Sequence, residues 1–202
     1  SWFRDVLGDS YIQMAKEKGM SAEELLSEEA EKVPAGSDGL MTVLDWLAPV
    51  DARYKKGIMI GFDGRHTRGH IYRSILEAVA MTIKGHTEDM VNEVGVTLDK
   101  IIITGGGSNS DLFMQIFADV FNLPAVRNVV NGAAGLGSAI CAAVATDVYG
   151  SFEEAVEGMV KIQDTFVPNP ENVELYKKMI PIYKDITVHT DEVLKKTYEL
   201  FE

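Results

Sequence analysis

The sequence predicts an α/β fold in which short strands alternate with helices around a largely buried sheet. Three observations carry that expectation. The run Ile101-Ile102-Ile103-Thr104 is apolar and β-branched, and it breaks into Gly105-Gly106-Gly107 before a stretch of helical spacing. A second short run, Ala125-Val126-Arg127, follows that helix. A third segment, about residues 132–144, consists mostly of alanine and glycine and reads as a thin helix.

The elements follow in chain order. Residues 1 to about 18 read as a helix carrying Trp2, Phe3, Val6, Leu7, Tyr11, Ile12 and Met14, and Ser21-Ala22-Glu23-Glu24 has the spacing of a capping box that opens a second helix. A loop with Pro34 and Gly36 leads to residues 41–46, which are short enough to be strand or helix. Ile58-Met59-Ile60 stand before Gly61, and Gly64, Arg65 and His66 form a polar loop. The longest helix covers about residues 67–93, with Ile71, Ile75, Val79, Ile83, His86 and Met90 along one face. Next come a strand at 101–104, a helix capped by Ser108 or Ser110 and ending near Phe121, a strand at 125–127 and the alanine-glycine helix. From Ser151 the reading is helix, then the turn Val167-Pro168-Asn169-Pro170, then a long amphipathic helix with Val173, Tyr176, Met179, Tyr183 and Ile186.

Three successive glycines let the backbone take positive φ and let a flat or charged group approach closely. The turn is not a Walker loop, since no Lys-Ser or Lys-Thr follows, and it lacks the spaced G-x-G-x-x-G of dinucleotide folds. Asp111 places a carboxylate in the first turn of the following helix, where it opposes a phosphate docked at that end. A neutral part of a nucleotide, ribose or base, suits the turn better; a tight strand-to-helix turn that binds nothing is the other reading. In the alanine-glycine helix each interior glycine costs roughly 1 kcal/mol relative to alanine. Close packing is expected at Gly137, and Gly135 is open to packing or ligand contact.

With 202 residues and 46% hydrophobic content the chain can bury a real core. A net charge of −12 argues against duplex nucleic acid or an anionic membrane surface as the main partner. The one cysteine, Cys141, sits in an apolar run and reads as a buried structural thiol, which suits the cytoplasm. No apolar run approaches the roughly 20 residues needed to span a bilayer. The chain starts Ser1-Trp2-Phe3 without Met, as an excised piece would. His66, His70, His86 and His189 show no metal-ligand spacing, and His70 reads as a capping or interhelical hydrogen-bond residue. Arg73 and Glu77 are spaced for an i,i+4 pair worth roughly 0.2–0.5 kcal/mol. Asp63, Arg65 and Arg68 read either as a solvated loop or as one facing a cleft.

Gly57-x-Met59-x-Gly61-Phe62, followed after seven residues by His70-Ile71-x-x-Ser74-Ile75-Leu76-Glu77, resembles a signature of the FGGY carbohydrate kinases. The stretch from Gly105 to Val126 is similar to the family's adenosine motif with its following helix and strand, "AAGLGSAICAAV" to its second connecting helix, and "FVPNPENVELYKKMIPIY" to its tail, with a weak lean toward xylulokinase-like members. Two departures stand out: Phe62 replaces an aliphatic residue, and no Gly-x-Arg-x-Pro element precedes Gly57.

The resemblance implies a ribonuclease H-like, actin-like ATPase domain, α/β in class, with additional packing helices and lacking its N-terminal hairpin. Residues 1–202 would be the C-terminal nucleotide-binding domain of a two-domain sugar kinase, and 151–202 its helical extension. By the match, Gly105, Gly106 and Gly107 line the adenosine pocket and Ser110 stands near the nucleotide. ATP and Mg2+ would be the cofactors, a sugar held mainly by the absent N-terminal domain the substrate, and a homodimer one arrangement. The proton acceptor of these kinases lies in that first domain, so no catalytic residue is assigned here and the isolated chain is expected to be inactive. An actin-like or chaperone-like ATPase and a non-catalytic interaction domain are the other readings.

Overall fold

The structure, a computed structural model, describes residues 2–201. Ser1, included above in the first helix, lies outside them. That helix is two: Trp2–Leu7 (α1) and Asp9–Glu17 (α2), broken where Gly8 takes φ 78° and ψ 177°. Ala22–Glu31 (α3) starts with the expected capping box, Ser21 Oγ accepting from the Glu24 amide at 3.2 Å and Glu24 Oε2 accepting from the Ser21 amide at 2.6 Å. These helices bury Phe3, Tyr11, Leu25 and Leu26 in a small cluster closed by Ile75.

Residues 41–46 resolve as a strand, Met41–Val43 (β1), paired antiparallel with Ile58–Ile60 (β2). The two glycines flanking β2 are sterically required. A Cβ on Gly57 would lie 1.9 Å from the Trp46 ring, and one on Gly61 would lie 2.5 Å from the Gly39 carbonyl oxygen. Arg68–Val94 (α4) follows, with Thr67 at its N-cap and Gly95 in the left-handed conformation at its C-cap.

Ile101–Ile103 (β3), Asp111–Phe121 (α5) and Ala125–Asn128 (β4) form a βαβ unit, β3 and β4 running parallel with Ile102 opposite Val126. Ala133–Ala145 (α6) and Phe152–Met159 (α7) come next. The sequence reading then passes straight to the turn at Val167, yet Ile162–Phe166 is a strand (β5), antiparallel to β4, giving the order β3-β4-β5. Gln163, Asp164 and Thr165 make that segment too polar to register as a strand by composition.

The last helix is Pro170–Phe201 (α8), with Pro170 in its first position, where a missing N–H is harmless. Its start is moored by the buried Asp119, which accepts from the Asn169 amide and from Asn172 Nδ2, each at 2.7 Å. Helices α4, α5 and α8 enclose the main core, with Ala78, Met81, Met114, Ile116, Phe117, Tyr176 and Met179 buried at its centre. Burying one such large side chain contributes roughly 1.5–3 kcal/mol.

Helix α6 corrects two expectations. Ile140 is its one buried residue among those described, Cys141 is exposed, and a Cβ on Gly135 or Gly137 would meet no atom within 4 Å. Its apolar composition promised burial, but among the described residues it packs only lightly, against α7, and the positions of Gly135 and Gly137 stay open. No helix of the described residues is long and apolar enough to cross a membrane.

Candidate functional site

The glycine turn sits where β3 hands over to α5. Gly105, at φ 85° and ψ −174°, opens it, and Gly106–Asn109 forms one turn of 3₁₀ helix. Gly105, Gly106 and Gly107 are all exposed, and a Cβ on Gly105 or Gly106 would meet nothing within 4 Å. Gly107 differs, since a Cβ there would stand 2.8 Å from the Phe113 ring. Two of the three glycines therefore present bare backbone to open space, a cradle that a planar group can enter without displacing protein atoms.

The turn is knit from behind. The Gly105 carbonyl accepts from the Ser108 amide at 3.1 Å and from Ser108 Oγ at 2.7 Å, with Ser108 fully buried. The Gly105 amide donates to the Asn131 carbonyl at 2.8 Å, and Asn131 Nδ2 donates to Asn109 Oδ1 at 2.7 Å. These bonds join the turn to the loop that starts α6. Between the two open capping choices the structure selects Ser110, whose Oγ accepts from the Phe113 amide at 3.3 Å and donates to Ser27 Oγ at 3.4 Å. Ser110 thus stands at the turn's exit with its hydroxyl engaged by the protein.

Two residues that sequence reasoning passed over support this arrangement. Arg127 of β4 reaches under the turn, Nη1 donating to the Ser108 carbonyl at 2.8 Å and lying 2.9 Å from Asp111 Oδ1. On its other side it grips Asp164 of β5, directly opposite in the sheet, through Nε at 2.9 Å and through Nη2. The available signal was an arginine inside an apolar strand facing an aspartate within one not recognised as a strand. The Asp111 carboxylate, expected to repel a phosphate, is accordingly paired.

The signature residues do different work. Glu77, 1% exposed, is the hub of a buried network. Its Oε1 accepts from the Gly36 amide at 2.8 Å, Arg73 Nε at 3.0 Å and the Tyr176 hydroxyl at 2.8 Å, and its Oε2 accepts from Ser37 Oγ at 2.9 Å. Arg73 adds a 2.8 Å bond to the Val33 carbonyl. This is no surface i,i+4 pair. The network holds Gly36, Ser37, Asp38 and Gly39 at φ 82°, 50°, 52° and 91°, four consecutive residues on the left-handed side. Burial, with the Glu77 carboxylate beside it, raises the Tyr176 hydroxyl far above its ordinary value.

His70 takes the structural role expected of it, Nδ1 accepting from the Thr67 amide at 3.2 Å and Nε2 lying 3.2 Å from Asp38 Oδ2. In the polar loop Arg65 grips Asp63, and its hydrogen bonds hold that carboxyl down at about 2. Arg68 pairs with Glu29 and covers the Tyr11 ring at 4.7 Å. Among the described residues no group of three or more His, Cys, Asp or Glu side chains could hold a metal ion.

A small sheet flanked by helices, with an open glycine turn at a strand's carboxyl end, defines an α/β domain of the ribonuclease H-like, actin-like class, and solved structures share it. A xylulose kinase from Rhodospirillum rubrum superposes with a TM-score of 0.78 at 26% identity, covering 96% of this chain and 38% of that one. A Plasmodium falciparum glycerol kinase, solved with ADP, shares the fold at a TM-score of 0.69 and 18% identity, over 83% of this chain and 33% of its own. The family model for the C-terminal domain of the FGGY family of carbohydrate kinases matches residues 4–146, and the chain belongs to that family. Among its relatives are the uncharacterized sugar kinase YgcE of Escherichia coli (strain K12), 54% identical over 99% of this chain, and the xylulose kinase of Bacillus subtilis (strain 168), 30% identical over 84% of it. The chain spans 41% and 34% of the lengths of those two relatives.

Proposed function

We propose that this chain is the nucleotide-binding part of an ATP-dependent carbohydrate kinase acting on a pentulose, working together with a further stretch of polypeptide that holds the sugar. The observation that carries the reading is the bare backbone of Gly105 and Gly106, exposed, open and rigidly backed at the N-terminal end of α5. Gly105, Gly106 and Gly107 would lie along the ribose and base, with Ser110 close by as the cap that fixes the direction of α5. ATP supplies the phosphoryl group, and Mg2+ would travel on its phosphates.

Phosphoryl transfer depends mainly on positioning and charge neutralisation. This chain's share is orientation: the turn sets where the nucleoside sits, and the buried Arg127, bonded to the Ser108 carbonyl, backs it. No proton acceptor is assigned to it, and the acceptor belongs to the sugar-holding part. Two exposed surfaces suit contact with that part, the free edge of β3, where Ile102 is 53% exposed, and the uncharged flank of α6. Pentulose is favoured because xylulose kinases and a ribulokinase stand among the relatives, alongside autoinducer-2 kinases.

The test is ADP release by the complete enzyme with Mg-ATP and a panel of xylulose, ribulose, glycerol, gluconate and autoinducer-2. Turnover with a pentulose is expected, and none by residues 1–202 alone. A complete protein that neither turns over any of these sugars nor binds Mg-ATP would instead be a non-catalytic interaction protein.

A further inference from the structure

Arg127 is the one charged residue of β4, and its side chain is only 9% exposed. Burying a cation is unfavourable unless it is paired and its N–H groups are satisfied. Here one guanidinium meets three partners on three elements: the carboxylate of Asp164 on β5, the carbonyl of Ser108 in the glycine turn and the carboxylate of Asp111 in the first turn of α5. Its plane also lies 5.3 Å from the Phe166 ring centroid. A forked, planar donor can serve such divergent acceptors, whereas a lysine ammonium on a flexible stem cannot serve all of them in that geometry.

Two consequences reach the turn. The bond to the Ser108 carbonyl fixes the residue whose amide and hydroxyl close onto the Gly105 carbonyl, so the position of the open glycines is set from Arg127. The pairing with Asp111 neutralises a carboxylate that is 71% exposed at the mouth of the turn, where an unpaired negative charge would repel an anionic ligand.

We propose that Arg127 is a positioning residue for the nucleotide, holding the Gly105–Ser108 backbone in its receptive shape and cancelling the Asp111 charge beside it. The inference rests on the nucleotide reading of the turn.

The experiment is isothermal titration calorimetry of Mg-ADP into the complete enzyme, with Arg127→Met, Arg127→Lys, Asp164→Asn and the double variant Arg127→Met/Asp111→Asn. Misfolded protein lowers the titration stoichiometry and leaves Kd unchanged, so Kd isolates positioning from stability. Arg127→Met should weaken Mg-ADP by about tenfold or more. Arg127→Lys and Asp164→Asn should fall between it and the parent. Part of the Arg127→Met loss should return in the double variant and also at high salt, because an exposed charge is screened.

A parent-like Kd in Arg127→Met, with only stoichiometry or melting temperature reduced, would overturn the proposal and leave Arg127 a fold-stabilising residue. Should Arg127→Met not be recovered folded, a parent-like Kd in Asp164→Asn and Arg127→Lys overturns it equally. A parent enzyme that does not bind Mg-ADP at all would instead strike the nucleotide reading of the turn.

Discussion

The Tyr176 hydroxyl donates a 2.8 Å hydrogen bond to Glu77 Oε1, 99 residues earlier in the chain, so the C-terminal helix is tied to the same carboxylate that holds Arg73 and the turn at Gly36. Removing the carboxylate leaves Arg73 as a buried, uncompensated cation. Glu77→Ala is therefore expected to cost about 3–5 kcal/mol. Tyr176→Phe, which deletes one bond to a charged group, should cost about 1.5–3 kcal/mol. Urea unfolding of both variants and of the double variant checks this, and because they share a partner the effects should not add. Strict additivity would show that the two residues do not act through one network.

At the glycine turn, stability and binding should separate by position. Gly106→Val points into open space, so it should leave the melting temperature of the complete enzyme nearly unchanged while raising the Michaelis constant for ATP more than that for sugar. Gly107→Val meets the Phe113 ring and should lower the melting temperature with or without nucleotide. Equal changes in both Michaelis constants for Gly106→Val would remove the turn from the nucleotide site.

Alkali should unfold the protein through its tyrosines. Burial pushes the Tyr11 hydroxyl up to about 12 and also raises Tyr72, Tyr176 and Tyr183. A group whose pKa is raised on folding contributes its stability below the unfolded value, near 10, and loses it as pH climbs toward the folded one. Stability should fall from about pH 10 upward. Phenolate absorbance followed alongside helical circular dichroism should show a late phase that coincides with loss of helix; full phenolate formation with the helices intact would contradict it.

Local chemistry made much of this legible. The capping box at Ser21, the strand Ile101–Ile103 and the capping role of His70 all depend on neighbours within a few residues, whereas the sequence leaves Ser108 and Ser110 equal as caps of α5 and the structure selects Ser110. What escaped depends on distant partners. Strand β5 is polar because its residues serve Arg127 and solvent, Glu77 looks like half of a surface pair until Gly36 and Tyr176 arrive, and α6 is apolar although most of its residues stay exposed beside α7. Of the candidate site, the glycine run stands out as a strand-to-helix turn, read either as ligand-contacting or as binding nothing, but the clamp behind it does not, since nothing local links Arg127 to Ser108.

Helix α6 offers a contrast between lengths of polypeptide. In the 202-residue chain Gly137→Leu should raise the melting temperature slightly, because the added Cβ meets no obstruction within 4 Å and leucine favours a helix interior over glycine. In the complete enzyme, if the remaining polypeptide covers that helix, the same change should overpack it and cost roughly 1–3 kcal/mol. Melting curves of both proteins decide it, and a complete enzyme that is not destabilised would mean that α6 stays uncovered there.

The left-handed turn at Gly36, Ser37, Asp38 and Gly39 also bears on the order of events in folding. Ser37 and Asp38 each pay on the order of 1 kcal/mol for that backbone. Local turn bonds, such as the Ser37 amide to the Pro34 carbonyl at 3.1 Å and the Leu40 amide to the Ser37 carbonyl at 3.0 Å, are joined by ties from far along the chain. The side-chain ties come from Glu77 and His70, 40 and 32 residues away, and form once α4 has been laid against this segment. With side-chain ties this distant, the turn is expected to close late, after the helices have docked. Weakening it should hasten unfolding and leave the rate of folding nearly untouched, making this short segment a determinant of how long the native state lasts rather than how quickly it is reached.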